Sequence, residues 1–252
     1  MGEAGTLQPL RISAAGWLLI ALRIVMMLAL LLLCVPFYYL WRLLGLGRFW
    51  PRVFLGGVGL IAGLNIRIAG KPARNALLLA NHVSWLDIPA IAWATGSSFV
   101  GHAGLASLPL LRTLCSMNDT VFVARHDRRS VASQVQQVRD AIAGAGALTI
   151  FPEGTTSDGT GLLPFKSSLL SAVDPLPPGT AVQPVLLEYA DAPGVSWVGD
   201  EHGVDNFKRI LARLRPLRLT VHFLPVLDGE ALTNRKTIAA AAQDAIGRAL
   251  RD

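Results

Sequence analysis

Charge is scarce in this chain: Asp, Glu, Lys and Arg make up only 16% of its 252 residues, against about a quarter in an ordinary globular protein. Cysteine is scarcer still, with Cys34 inside an apolar N-terminal run and Cys115 far downstream. Two distant thiols supply neither a disulfide framework nor the clustered spacing of a metal site, and they suit a reducing compartment. Neither a metal nor a cofactor is expected. Zinc-finger spacing, an RNA-recognition signature and basic runs interleaved with aromatics are all missing, so nucleic acid is not an expected partner despite a net charge of +6. Repeats and low-complexity segments are absent, and no linker is long enough to set off a second soluble domain.

What replaces the missing charge is apolar surface. Hydrophobic residues make up 52% of the chain, with a mean hydropathy of +0.46, and the excess lies at the front. From Trp17 to Leu40 only Arg23 and Pro36 interrupt the apolar run. Ile24 to Leu40 is 17 residues, the short end of what spans a bilayer of about 30 Å, and Trp17 to Leu22 lengthens it if Arg23 snorkels to the interface. A cleaved signal peptide fits poorly, because the basic leader is weak, the apolar core too long and no A-x-A-like site follows. Val53 to Leu64 is a second apolar stretch, too short to span, which suits a helical hairpin along the membrane; crossing and lying in one leaflet both remain open. The flank Trp41-Arg42, Arg48, Trp50 and Arg52, with only Arg11 ahead of the run, places the downstream domain on the cytoplasmic side. Residues 1–64 are therefore expected to anchor the chain in the membrane, ahead of an α/β domain over 65–252.

From Asn65 onward short apolar runs alternate with longer helical patterns. Strands are predicted at Ile66–Ala69, Ala76–Ala80, Ser98–Val100, Val121–Ala124, Leu148–Phe151, Val182–Tyr189 and Leu217–Phe223. Helices are predicted at Ile88–Thr95, Gly104–Ser116, Arg128–Gly144, Phe165–Val173, Val204–Leu214 and Asn234–Arg251. The clearest is Arg128–Gly144, where Val131, Val135, Val138 and Ile142 share one face. The expected fold class is α/β, with a mixed, largely parallel sheet covered by helices.

Three polar clusters follow predicted strands. Asn81-His82-Val83-Ser84-Trp85-Leu86-Asp87 offers a histidine that titrates near neutral pH and a carboxylate to orient it, a general base with its support. Five positions along a continuous helix would turn Asp87 about 140° from His82, so pairing requires His82 in the turn before the helix. Ser84-x-x-Asp87 also reads as a helix capping box, which needs no catalysis. Ala124-Arg125-His126-Asp127-Arg128-Arg129 reads as a solvated helix start or as an anion site at Arg125. Phe151-Pro152-Glu153-Gly154-Thr155 reads as a Pro/Gly turn, or as a carboxylate and backbone N–H groups offered to a polyol or anion.

The order of these clusters, followed by Val182-Gln183-Pro184-Val185, resembles the four motif blocks of the glycerolipid acyltransferases, whose best-known members are lysophosphatidate acyltransferases. The resemblance runs from about Ala76 to Tyr189. It implies transfer of a fatty acyl group from an acyl-CoA or acyl-carrier-protein thioester to the free hydroxyl of 1-acyl-sn-glycerol-3-phosphate, or of another lysolipid such as a lyso-ornithine lipid. His82 and Asp87 would then be catalytic, without an acyl-enzyme. Arg125, Glu153, Gly154 and Thr155 would bind the acceptor's phosphate and glycerol region. Asn81, Ser84, Lys166 and Pro184 would support them, Pro184 on the acyl side. The partners implied are the thioester donor, the lysolipid and the bilayer. The chain departs from the family pattern with His102 where many members carry lysine, and with Val-Ala-Arg where Ile-Asp-Arg is frequent. A thioesterase and a non-catalytic membrane adaptor are the readings from other classes.

Overall fold

Ala76 to Ala80 has no polar side chain and no residue exposed to solvent, which marks a strand covered on both faces. The computed structural model describes residues 12–45, 49–102, 109–123, 131–199 and 201–251. Within them the order is α1 (Ala14–Leu43), α2 (Phe49–Ile61), β1 (Leu64–Ala69), β2 (Ala76–Ala80), α3 (Asp87–Thr95), β3 (Ser98–His102), α4 (Pro109–Met117), β4 (Val121–Val123), α5 (Val131–Ala145) and β5 (Ala147–Ile150). A 3-10 helix (Ser167–Val173), β6 (Ala181–Tyr189), α6 (Gly203–Leu211), β7 (Leu217–Phe223), a short 3-10 turn (Gly229–Leu232) and α7 (Arg235–Ala249) complete it.

The strands form one sheet in the order β1-β7-β6-β2-β5-β3-β4. Every neighbouring pair is parallel except β6 and β7, so the sheet is mixed and largely parallel, as the sequence predicts. Side chains alternate across β2. Ala76, Leu78 and Ala80 join a core with α3, α6 and Ile20 of α1, whereas Leu77 and Leu79 join a second core with α5, α7 and the 3-10 helix. β2 thus lies between two helical layers and carries the site at its C-terminal end.

Ser13 caps α1, accepting a hydrogen bond from the Gly16 N–H at 3.1 Å. At 30 residues and about 1.5 Å per residue, α1 is about 45 Å long. It is the one helix among the described residues long and apolar enough to cross a membrane. Leu18, Val25, Leu32, Leu33 and Leu43 are exposed along it. Phe37 stacks on Trp50 at 4.9 Å between ring centroids, and Trp41 packs edge-on against Trp50, so α2 folds back along α1 as a hairpin.

Two elements differ from the sequence expectation. The second apolar stretch leaves the helix at Ile61, and Leu64 pairs with Leu217 as the first residue of β1. Phe165–Val173 forms only a 3-10 helix from Ser167, its lead-in being tied to other parts of the fold, the Phe165 N–H to the Gln243 side chain at 2.9 Å and the Lys166 N–H to the Pro152 carbonyl at 2.8 Å. Of the predicted helix over Gly104–Ser116, residues 104–108 lie outside the described residues, and the described part runs from Pro109 to Met117.

Deleting the Leu78 side chain leaves a cavity in the strand on which both layers rest. Leu78→Ala is expected to cost about 2–5 kcal/mol, read as a shift in chemical unfolding in detergent. Leu33→Ala, on the exposed face of α1, should change it little.

Candidate active site

Immediately beyond β2 the chain stops pairing through its backbone and pairs through a side chain. The buried Asn81 amide donates to the Leu187 carbonyl at 3.0 Å and accepts from the Leu187 N–H at 2.7 Å. This exchange imitates one more rung between β2 and β6 and fixes where the following turn begins.

His82 then lies in the turn ahead of α3, and Asp87 is that helix's first residue. His82 Nδ1 is 2.7 Å from Asp87 Oδ2. The same oxygen accepts from the Val83 N–H at 2.7 Å and the Ser84 N–H at 3.0 Å, and Oδ1 accepts from the Tyr189 hydroxyl at 2.6 Å. Asp87 has no solvent exposure. A carboxylate only accepts, so this bond assigns the imidazole proton to Nδ1 and leaves Nε2 with its lone pair. Phe151 stacks on the His82 ring at 4.1 Å and restricts its rotation. The capping box is half formed: Asp87 accepts from the Ser84 N–H, but the Ser84 hydroxyl accepts from Leu86 N–H at 3.4 Å. The acid of the capping box and the partner of the histidine are one residue.

Glu153 follows β5, the parallel neighbour of β2, so its loop emerges at the same sheet edge, where open α/β sheets bind ligands. Its Oε1 accepts from the His82 N–H at 3.1 Å and its Oε2 from the Leu163 N–H at 3.3 Å. Burial pushes the Glu153 carboxyl up to about 7, against those two N–H bonds, which favour the charged form. Gly154 turns the chain with φ +71. Ser157 then clasps the His82 carbonyl through its N–H at 2.7 Å and its hydroxyl at 3.1 Å. Two adjacent strand-end loops are thereby tied together through the backbone of the histidine.

A cavity of about 900 Å³ opens in front of His82. Gly154, Thr155 and Thr156 line it together with the imidazole, as do Phe99, Ile150 and Leu169 from the α/β domain and Leu31, Cys34 and Phe54 from the hairpin. Its size and apolar walls suit an alkyl chain. The Trp197 N–H bonds to the Val83 carbonyl at 3.1 Å and its indole to the Glu201 carbonyl at 2.7 Å, fixing the β6–α6 loop at the rim.

The structure brings together Asn81, His82, Ser84, Asp87, Glu153, Gly154 and Thr155. Lys166 is exposed and does not line the cavity, and Pro184 is buried within β6 opposite Leu79, also away from it. Arg125 lies outside the described residues. Tyr189 and Phe151 were not singled out as site residues by the sequence, since one aromatic residue in or beside an apolar strand carries no signal of its own. Burial and the Asp87 carboxylate push the Tyr189 phenol well above its usual range, so it stays a donor.

A family model described as Acyltransferase matches residues 65–188. The lyso-ornithine lipid O-acyltransferase of Rhizobium meliloti is 32% identical over 96% of this chain and 86% of its own length. The 1-acyl-sn-glycerol-3-phosphate acyltransferase of Neisseria meningitidis is 32% identical over 78% of this chain and 79% of its own. The chain belongs to the glycerolipid acyltransferase family. Its fold is shared with the crystal structure of the 1-acyl-sn-glycerophosphate acyltransferase PlsC from Thermotoga maritima, with a TM-score of 0.59 at 19% identity over 80% of this chain and 77% of that one. As an acyltransferase of this family the protein uses an acyl donor and a lysolipid acceptor, and it associates with membrane.

Two expectations follow for this acyltransferase. A hydrogen bond to a charged group is worth about 1.5–3 kcal/mol, so Tyr189→Phe should lower kcat about ten- to a hundredfold with KM little changed in steady-state assays. Glu153 holds its proton more tightly folded (about 7) than unfolded (4.5), so its contribution is fully present below the lower value and lost as pH rises through the higher. The loss amounts to at most about 3 kcal/mol. Unfolding midpoints measured across that range should fall with pH in the wild type and vary less in Glu153→Gln.

Proposed function

We propose that the protein transfers a fatty acyl group from an acyl-CoA or acyl-carrier-protein thioester to the free hydroxyl of 1-acyl-sn-glycerol-3-phosphate, giving phosphatidic acid. The observation that carries this reading is His82, held by Asp87 with Nε2 unpaired by that contact, at an apolar cavity large enough for an acyl chain. In the reaction His82 Nε2 takes the acceptor's hydroxyl proton as the oxygen attacks the thioester carbonyl. Asp87 balances the imidazolium. The tetrahedral intermediate collapses, the C–S bond breaks, and the proton on His82 passes to the departing thiolate, leaving ester and free thiol. Ser84 is no nucleophile in this scheme, since its hydroxyl sits in the turn with no solvent exposure.

Arg125, Glu153, Gly154 and Thr155 are assigned to the acceptor's polar end. Glu153 acts there mainly by holding the His82 backbone, and Arg125 by its bidentate match to a phosphate. The apolar hairpin of α1 and α2 keeps the site at the cytoplasmic face of the membrane, where the lysolipid arrives laterally and the thioester from water.

Acylation of a lyso-ornithine lipid is the second reading. It is favoured by the whole-chain reach of relatives with that name, the Brucella abortus protein being 32% identical over 92% of this chain and 93% of its own length. A panel of lysophosphatidate, lyso-ornithine lipid and no acceptor, each with both donor types and read by product mass and thiol release, separates the possibilities. Phosphatidic acid formed fastest is the expected result, with His82→Ala folded, vesicle-bound and inactive. Faster ester formation on lyso-ornithine lipid would transfer the assignment to it. Thiol release without acceptor would mean a hydrolase, and undiminished turnover in His82→Ala would remove the general base.

A further inference from the structure

The hairpin is attached to the α/β domain by two arginines that do the same thing at two places. Arg23, the one charge in the apolar part of α1, directs Nη1 at the C-terminal end of α6, donating to the Leu211 and Arg213 carbonyls at 2.9 Å each and to Ile210 at 3.5 Å. Arg52, on α2, reaches the C-terminal end of α3. Its Nε donates to the Trp93 carbonyl at 2.9 Å and its Nη2 to Ala94 at 3.4 Å, with the guanidinium 5.8 Å from the Trp93 ring centroid. The last carbonyls of a helix have no partner within it and carry partial negative charge, so a cation there satisfies both hydrogen bonding and dipole.

The spacing of the two contacts matters. Phe37 stacks on Trp50, so in the antiparallel hairpin Arg52 lies level with Val35 of α1, roughly 18 Å along the helix from Arg23 at about 1.5 Å per residue. Between these points lie Leu31, Cys34, Phe54 and Val58, part of the hairpin's share of the cavity wall, which continues beyond Arg52 at Tyr38, Trp50 and Pro51. Close packing completes the attachment. A Cβ at Gly56 would collide with the Trp93 ring of α3, and one at Gly57 with Leu30 of α1, so α2 is wedged between the two helices. The helix that Arg52 caps begins at Asp87.

We propose that Arg23 and Arg52 are positioning residues: by capping α6 and α3 they clamp the membrane hairpin over the catalytic cavity, so that it forms a fixed wall for the acyl chain as well as an anchor. This rests on the acyl-transfer reading for what the wall contacts. Membrane attachment itself comes from the exposed apolar side chains of α1 and does not need either arginine.

The test compares the full-length wild type with Arg23→Gln, Arg52→Gln and the double variant in vesicles. Vesicle flotation should be unchanged. With a hexadecanoyl donor the double variant should show KM raised about tenfold, whereas a butanoyl donor, which offers the wall far less chain to contact, should give values within about twofold of wild type. Amide hydrogen exchange in α2 and at the end of α3 should quicken in the same variant. Arg23→Lys should rescue, since an ammonium can serve carbonyls converging on one nitrogen; Arg52→Lys should rescue less, because Nε and Nη2 serve separate carbonyls. Equal losses on both donors, unaltered kinetics, or exchange identical to wild type would each overturn the clamp. A wild type that turns over neither donor would overturn the transfer reading instead, leaving the clamp to be judged by exchange.

Discussion

A carboxylate with no contact with water is costly unless the protein surrounds it with donors, and Asp87 is surrounded by four. His82, Val83 and Ser84 approach one oxygen and Tyr189 the other. The four donors serve three requirements. Two backbone N–H groups make the turn, the imidazole is the base proposed above, and the phenol ties both to β6. The geometry of His82 is therefore a by-product of satisfying a buried charge, and any change that disturbs the charge disturbs the imidazole.

From this follows the arrangement around it. The turn must leave β2 at a fixed point, which the Asn81 amide ensures by pairing with Leu187. The histidine's backbone must stay where Asp87 needs it, and Glu153 and Ser157 hold its N–H and carbonyl from the neighbouring loop. Parallel pairing of β2 with both β5 and β6 delivers all these residues to one sheet edge. On the open side the hairpin, held by Arg23 and Arg52, closes an apolar space against the imidazole. The hairpin and the His82 turn are consequently parts of one construction, joined through α3.

Much of this was legible in the sequence where local pattern decides structure. Ala76–Ala80 is uniformly apolar because both faces are covered, and Leu217–Phe223 alternates because every second side chain is buried. The pairing of His82 with Asp87 was legible as a possibility, and the order of the motif blocks selected it over a plain helix cap. Long-range relations were not legible. Nothing near Tyr189 announces that its hydroxyl meets a carboxylate 102 positions earlier, and Arg23 read as a snorkelling charge because its acceptors lie up to 190 residues away. The antiparallel placement of β7 beside β6 likewise depends on register across the sheet, which single-strand patterns do not contain.

The most direct measurement of the account is single-turnover acyl transfer by Asp87→Asn, with donor binding measured alongside. A carboxamide fills the same space but cannot balance an imidazolium, so the account predicts unchanged donor affinity and a rate lower by about three orders of magnitude or more, the scale seen when the acid supporting a catalytic histidine is replaced by its amide. A variant that transfers acyl groups at the wild-type rate would contradict it, and the buried carboxylate would then be a helix cap and nothing more.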